Sequence, residues 1–226
     1  MRGPMVDRIQ TIVFDAYGTL FDVYSVSQQC EVLLPGKGSQ LVQLWRSKQL
    51  EYSWLSSLMG HYQDFESLTS AALRYACTHL GLSLTPAASS ELMLRYRHLA
   101  PYPEVRATLE QLRPRRLAIL SNGAPAMLDA AVEHAGLRPL FDAVLSVDAV
   151  QIFKPHPSVY QHAVSVLGVT KSAIAFVSSN YWDAMGATAF GFRTFWINRS
   201  GATPDTLGFA PSAVLSGLDE LKNVLA

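Results

Sequence analysis

Polar side chains follow four apolar segments of this chain. Together they include the residue types that a reaction at an ionised carboxylate requires. Asp15 ends the first segment, Ser121 and Asn122 follow the second, Lys154 comes after the third, and Asp183 comes shortly after the fourth. A partly buried carboxylate must be paired or accept hydrogen bonds. A nearby lysine favours the anionic form, and hydroxyl or amide donors stabilise charge that develops in a reaction. The convergence of these side chains from separate segments is the main indication of a site.

Five apolar segments predict the strands that position these side chains. They cover residues 9–14, 116–120, 143–147, 173–177 and 194–197. Helical patterns separate the later strands, at residues 125–135, 157–167 and 182–190. This alternation predicts an α/β fold with a doubly wound parallel sheet. Such sheets place their ligand sites beyond the carboxyl ends of the strands.

The segment from about residue 23 to 99 breaks that alternation, because it has amphipathic helical patterns and no good strand pattern. We therefore expect a helical cap domain inserted after the first strand. The expected division is core 1–20, cap 21–99 and core 100–226. On a helix over residues 40–59, one stripe is predicted to pack inside the cap: Leu41, Leu44, Trp45, Tyr52, Leu55 and Met59. The opposite face, with Arg46, Leu50 and Trp54, suits a cleft wall that faces the sheet.

Composition and charge exclude several classes of protein. The 18 basic and 18 acidic residues give a formal net charge of zero, so no broad field attracts nucleic acid or an acidic membrane. With 49% hydrophobic and 16% charged residues, the chain does not have the composition of a disordered protein. The two cysteines form no CxxC pattern, the six histidines show no metal-ligand spacing, and no apolar run has the roughly 20 residues of a membrane span. We therefore expect a soluble, cytoplasmic protein.

Four residues, in this order, resemble the motifs of the haloacid dehalogenase superfamily, whose core is Rossmann-like: the nucleophilic Asp15, then Ser121, Lys154 and Asp183. Most members are magnesium-dependent phosphatases with a second aspartate two positions after the nucleophile, where this chain has Tyr17. Magnesium prefers carboxylate ligands, and without that aspartate no side chain protonates a leaving alkoxide. This departure implies a reaction without metal or other cofactor and a leaving group that needs no proton, such as halide.

Five strings resemble the L-2-haloacid dehalogenase branch of that superfamily: DAYGTLFDVYSV, LWRSKQLEYSWLSSLMGHY, LSNG, FKPHPSVY and FVSSNYWDAMGA. The resemblance implies a homodimer that hydrolyses short-chain (S)-2-haloacids to (R)-2-hydroxyacids and halide through an ester at Asp15. It implies the following catalytic residues: Asp15, Thr19, Arg46, Ser121, Lys154, Tyr160, Ser178, Asn180 and Asp183. It implies the following substrate-binding residues, with Arg46 at the halogen: Tyr17, Arg46, Leu50, Phe65, Ser121, Asn122 and Trp182.

Several alternatives stay open at this point. Asp15 could only cap the turn that follows it, and Arg46 could be a solvated side chain on a helix. Asp183 could activate water or simply pair with Lys154, and the aromatic side chains could be plain core. The protein could instead be a magnesium-dependent phosphate-ester or phosphonate hydrolase, or a catalytically silent binding module. Ser47, where the branch often has glutamine, leaves the size of the substrate open.

Overall fold

A six-stranded parallel sheet forms the centre of the protein, in a computed structural model that describes residues 8–225. The strands are β1 (Thr11–Phe14), β2 (Arg116–Ser121), β3 (Ala143–Ser146), β4 (Ile174–Ser178), β5 (Arg193–Ile197) and β6 (Ala213–Leu215). Their order is β3-β2-β1-β4-β5-β6, and every neighbouring pair is parallel. This is a doubly wound α/β sheet, so the predicted fold class is confirmed. The short edge strand β6 is an addition to the five predicted strands.

The first strand, β1, lies in the middle of the sheet between β2 and β4. All of its residues are buried, because helices cover both faces of the sheet. The pairing continues one residue further, since the backbone N–H of Asp15 donates to the carbonyl of Val177 at 2.9 Å. The strand order reverses between β1 and β4, and sheets of this type bind ligands at that point. Asp15 therefore stands at the carboxyl edge where a site is expected.

Residues 8–225 form nine α-helices, of which the first four belong to the insertion after β1. They are α1 (Ser27–Leu33), α2 (Gly38–Leu58), α3 (Phe65–His79), α4 (Pro86–Arg97), α5 (Val105–Leu112), α6 (Pro125–His134), α7 (Pro157–Leu167), α8 (Tyr181–Phe190) and α9 (Leu221–Val224). Asp64 and Thr85 cap α3 and α4 by accepting from a backbone N–H. The helices α1 to α4 follow β1 and precede β2, so the helical insertion lies where it was expected. In this part of the chain, no helix has both the length and the apolar character needed to cross a bilayer.

The buried face of α2 differs from the predicted stripe in the C-terminal half of the helix. Leu41 and Trp45 are buried as predicted, but Leu55 is 41% exposed and Met59, just after the helix, is 64% exposed. The buried line continues instead through polar residues, namely Gln49, Ser53 and Ser56. Their polar atoms are hydrogen-bonded inside the protein, so they can be buried at little cost. The prediction was wrong for Leu55 and Met59 because it ranked positions by hydrophobicity alone.

Candidate active site

Three donors hold the side chain of Asp15 at the carboxyl edge of the sheet. Lys154 Nζ lies 3.1 Å from Asp15 Oδ1. Oδ2 accepts from Thr19 Oγ1 at 2.9 Å and from Asn180 Nδ2 at 2.8 Å. Asn180 Nδ2 also donates to the carbonyl of Tyr17 at 3.0 Å, and because both partners only accept, the orientation of the amide is fixed. The carboxylate is therefore fully oriented, although its side chain is still 7% exposed.

Lys154 connects this carboxylate to a second one. Its Nζ lies 2.8 Å from Asp183 Oδ2, and the Tyr160 hydroxyl donates to Asp183 Oδ1 at 2.8 Å. Burial alone would lower the pKa of Lys154, but the carboxylates of Asp15 and Asp183 raise it above its ordinary value. Burial raises the pKa of Asp183 to about 6, an effect that Lys154 opposes and Asp15 reinforces. Asp183 is therefore a carboxyl group that binds a proton more readily than an exposed aspartate does.

The turns after β2 and β4 are held by side chains that were predicted for the site. Asn122 Oδ1 accepts from the backbone N–H of Lys154 at 3.0 Å. Ser121 Oγ and Ser178 Oγ each accept from the backbone N–H two residues later, both at 3.1 Å. These three side chains hold loop backbone at the carboxyl edge and are not bonded to the Asp15 carboxylate within residues 8–225.

Arg46 extends from α2 into a polar cluster of the cap. Its Nη1 donates to Gln49 Oε1 at 2.7 Å and lies 3.5 Å from the Tyr96 hydroxyl. The ring of Tyr96 stacks on Tyr17, with centroids 5.9 Å apart, and Tyr17 also packs against Phe65 at 6.0 Å. Tyr17 belongs to the loop after β1, so its ring connects the arginine cluster to the loop of the nucleophile candidate.

Tyr17 presents a polar group as well as an aromatic ring. Its hydroxyl is buried and has no hydrogen-bond partner in the part of the chain that the structure describes. Burial raises the pKa of Tyr17 well above its usual range, with Tyr96 adding to the effect and Arg46 opposing it. A Cβ atom at Gly123 would lie 2.6 Å from Tyr17 Cε2, so any larger side chain at position 123 would clash with the Tyr17 ring. The site therefore contains a neutral phenol that can still form a hydrogen bond.

The remaining predicted wall residues lie where the cap meets the core. Leu50 of α2 and Trp182 of α8 are both half-buried. Trp182 packs edge-to-face against Trp54 of α2, with ring centroids 5.6 Å apart. This contact brings α2 of the inserted helices against α8, while the role of these side chains as a cleft wall stays a prediction.

Three residues near the site were missed by the sequence analysis. Gln49 and Tyr96 contact Arg46 but belong to helices whose patterns gave no sign of a polar cluster. Arg199 donates to the carbonyl of Thr19 at 3.0 Å and to Glu104 at 2.9 Å, so it supports the nucleophile loop. Arg199 follows the end of β5 by two residues, and that position at the carboxyl edge could have identified it.

The acidic groups around Asp15 do not fit a magnesium ion. Asp183 already contacts Lys154 and Tyr160, and the residue two positions after Asp15 is an aromatic side chain. Among residues 8–225, no group of three or more His, Cys, Asp or Glu side chains is arranged to hold a metal ion. The site does not offer the set of oxygen ligands that magnesium prefers.

Comparisons with known proteins agree with this geometry. The family model for haloacid dehalogenase-like hydrolases matches residues 9–191. An (S)-2-haloacid dehalogenase from Pseudomonas sp. (strain YL) is 51% identical over 215 residues, covering 94% of this chain and 93% of the relative.

Two solved structures have the same fold over nearly the whole chain. One L-2-haloacid dehalogenase has a TM-score of 0.95 and 49% identity, with 97% of this chain and 99% of that chain covered. The L-2-haloacid dehalogenase of Xanthobacter autotrophicus, solved with chloropropionic acid covalently bound, has a TM-score of 0.91 and 43% identity, with 96% and 98% covered. With a family match over most of its length and relatives this similar, the chain belongs to the haloacid dehalogenase-like hydrolases.

Proposed function

We propose that this chain is a hydrolase of carbon–halogen bonds that converts short-chain (S)-2-haloacids to (R)-2-hydroxyacids and halide through an ester at Asp15. The observation that carries the proposal is the buried Asp15 carboxylate, fixed by Lys154, Thr19 and Asn180. The similarity to (S)-2-haloacid dehalogenases over 94% of the chain supports it. So does the covalently bound chloropropionic acid in a related enzyme.

In the first step, Asp15 Oδ1 bonds to C2 of the substrate while the C2–halogen bond breaks and its electron pair leaves with the halide. Oδ1 accepts from one donor, Lys154, whereas Oδ2 accepts from two, so Oδ1 keeps a lone-pair position free for attack. Arg46 offers the departing halide a permanent charge and a planar set of N–H donors. Because attack comes from the side opposite the halogen, C2 is inverted.

In the second step, water attacks the carbonyl carbon of the Asp15 ester, and the ester bond to the substrate oxygen breaks at that carbon. With Oδ1 esterified, Oδ2 is the carbonyl oxygen, so Thr19 and Asn180 stabilise the negative charge that develops on it. Asp183, whose pKa is raised by burial, accepts the proton of the attacking water. It returns that proton to the departing alkoxide oxygen of the hydroxyacid, and Asp15, left as a carboxylic acid, releases its own proton to regenerate the carboxylate. Tyr160 holds the other oxygen of Asp183 at 2.8 Å.

The other predicted residues bind the substrate or position these groups. Ser121 and the backbone N–H groups after β2 bind the substrate carboxylate, and Ser178 positions Asn180 through its backbone N–H. Aromatic and aliphatic side chains with Asn122 surround the halogen and exclude water, namely Tyr17, Leu50, Phe65, Asn122 and Trp182. No divalent ion takes part, because the leaving halide needs neither a proton nor a metal.

The proposed division is a cap of residues 21–99 and a core of residues 1–20 and 100–226, of which residues 1–7 and 226 lie outside the described residues. The two crossings between cap and core are adjacent. Phe21 forms a β-bridge with Pro101, and the backbone N–H of Asp22 donates to the carbonyl of Ala100 at 2.9 Å. This pairing supports boundaries near residues 21 and 100.

The proposal includes a homodimer in the cytoplasm. Leu58 is 83% exposed and lies beside the exposed Leu55 and Met59 at the end of α2, and clusters of exposed apolar side chains mark protein contacts. Cys30 and Cys77 are buried free thiols, as expected in a reducing compartment.

A single turnover in ¹⁸O-labelled water, with enzyme in excess over (S)-2-chloropropionate, tests the covalent route. The proposed mechanism places the label in the Asp15 carboxylate, detected by peptide mass spectrometry, and leaves the first hydroxyacid unlabelled. Label in the first hydroxyacid would instead mean direct attack by water. Hydrolysis of phosphate esters that requires added magnesium, without any halide release from 2-haloacids, would overturn the proposed function itself.

A further inference from the structure

Gln49 is a buried polar residue of the cap that touches Arg46 and takes no part in the two chemical steps. It lies three positions after Arg46 on α2, and it is fully buried. Its Oε1 accepts from Arg46 Nη1 at 2.7 Å and from the Tyr96 hydroxyl at 2.9 Å. One oxygen atom therefore receives both donors.

The direction of each hydrogen bond in this cluster is determined by chemistry. The Thr69 hydroxyl donates to the carbonyl of Phe65 at 2.6 Å, since a carbonyl only accepts. Thr69 Oγ1 must then accept from Gln49 Nε2, which lies 2.6 Å away. The nitrogen of the amide therefore faces α3, and its oxygen faces Arg46 and Tyr96. The oxygen and nitrogen of the Gln49 amide therefore cannot trade places, and Arg46 Nη1 has a fixed acceptor.

The charge of this acceptor is as important as its position. Gln49 is neutral, so it orients the guanidinium group without neutralising it. Glu66, the acidic residue on the neighbouring helix α3, accepts from Arg97 Nε at 2.8 Å. None of the ion pairs within residues 8–225 includes Arg46. The charge of Arg46 therefore remains available to a ligand in the cleft.

We propose that Gln49 is a positioning residue that fixes one N–H of Arg46 while leaving the full positive charge and the other N–H groups for the departing halide. This inference rests on the proposed function. A carboxylate in the same place would hold the guanidinium group equally well but would oppose its attraction for halide. The choice of an amide rather than an acid at this position therefore controls the leaving-group step.

The substitution Gln49→Glu tests this, because it keeps the shape of the side chain and adds one negative charge. It also replaces the Nε2 donor by an oxygen that accepts from the Thr69 hydroxyl once that hydroxyl turns toward it. We expect kcat for (S)-2-chloropropionate to fall about tenfold or more, since the added negative charge lies close to Arg46 and opposes the build-up of negative charge on the halide. KM should change little, because a carbon-bound halogen carries no full charge. The inhibition constant of sodium bromide should rise by a similar factor, and a merely structural role would not move that constant.

The matched control is Gln43→Glu, which adds the same charge on the exposed face of α2 and should leave kcat and bromide inhibition unchanged. If thermal unfolding shows that Gln49→Glu is not folded, Gln49→Met decides, since it removes the acceptor without adding charge and should lower kcat and weaken bromide inhibition. A folded variant at position 49 with wild-type kcat and wild-type bromide inhibition overturns the inference. A wild-type enzyme that releases no halide from any 2-haloacid contradicts the proposed function instead.

Discussion

The two oxygens of Asp15 have different partners, and this difference determines which oxygen attacks the substrate in the proposed reaction. Lys154 faces Oδ1, while Thr19 and Asn180 face Oδ2. Donors on Oδ2 stabilise the intermediate more than the resting carboxylate, because a full charge returns to that oxygen when water attacks the ester. The same three side chains therefore serve both halves of the proposed reaction.

The substitution Asp15→Asn should abolish halide release, with a loss of about 10⁴-fold or more. An amide is a poor nucleophile, and whichever way it is turned, its NH₂ group would face Lys154 or the Thr19–Asn180 pair. The measurement is bromide release from (S)-2-bromopropionate, with thermal unfolding as the control for folding. Turnover near that of the wild type would remove Asp15 from the mechanism.

The hydrolysis of the ester should depend on pH through Asp183. Burial raises the pKa of Asp183, and the charge of Asp15 adds to that rise in the resting site. The ester removes the Asp15 charge, and a general base must be ionised, so the hydrolysis rate should be high at and above about pH 6. It should fall about tenfold per pH unit well below it. Rapid-quench measurement of ester decay checks this in Asp15-containing peptides. A decay rate that is flat from pH 5 to pH 8 would leave Asp183 as only the ion-pair partner of Lys154.

At the scale of elements, α8 must approach the loop after β3 closely to place Asp183 beside Lys154. Gly186 of α8 permits this contact, because a Cβ there would lie 2.5 Å from Pro155 Cβ and 2.8 Å from the Tyr160 hydroxyl. The glycine costs helix propensity, but it lets the helix carry Asp183 to the carboxyl edge.

The substitution Gly186→Ala should lower the free energy of unfolding by about 1–3 kcal/mol through overpacking, although alanine is the better helix former. It should also lower kcat, since Tyr160 would be displaced from Asp183. Urea denaturation gives the first quantity. Ala189→Gly, on the exposed side of α8, measures the propensity effect alone. A Gly186→Ala protein that is more stable than the wild type would contradict this prediction, because it would show that Pro155 and Tyr160 can move to accommodate the added methyl group.

Most elements could be predicted, because their signals are local. The helix α7 covers the predicted residues 157–167, where a proline begins it, and the buried parallel strands are continuous apolar runs. The strand β6 was missed because it has only three residues and one of them, Val214, is exposed. Gln49 was missed for a different reason, since a buried amide is defined by partners on α3 and α4. Such partners are known only once the chain is folded.

At the scale of the whole molecule, the exposed end of α2 is the best candidate for the contact between two subunits. The substitution Leu58→Glu should shift the proposed dimer toward monomer, because it would place a charge in the proposed apolar interface. Light scattering after size-exclusion chromatography measures the mass. Leu94→Glu, at another exposed apolar position on α4, is the control and should leave the mass unchanged. A wild-type protein that is monomeric at high concentration would contradict the dimer.

The arrangement of β1 and α2 has an evolutionary consequence. In the proposed mechanism, the sheet positions the ester-forming Asp15 and its donors, and the inserted helices position Arg46, the cation proposed to meet the leaving group. These two groups belong to different segments of the chain, the sheet and the inserted helices, which contact each other at the Tyr17 ring. Replacing the inserted helices while keeping the sheet would therefore change which leaving group the protein accepts. The residues that form and cleave the ester would be unchanged.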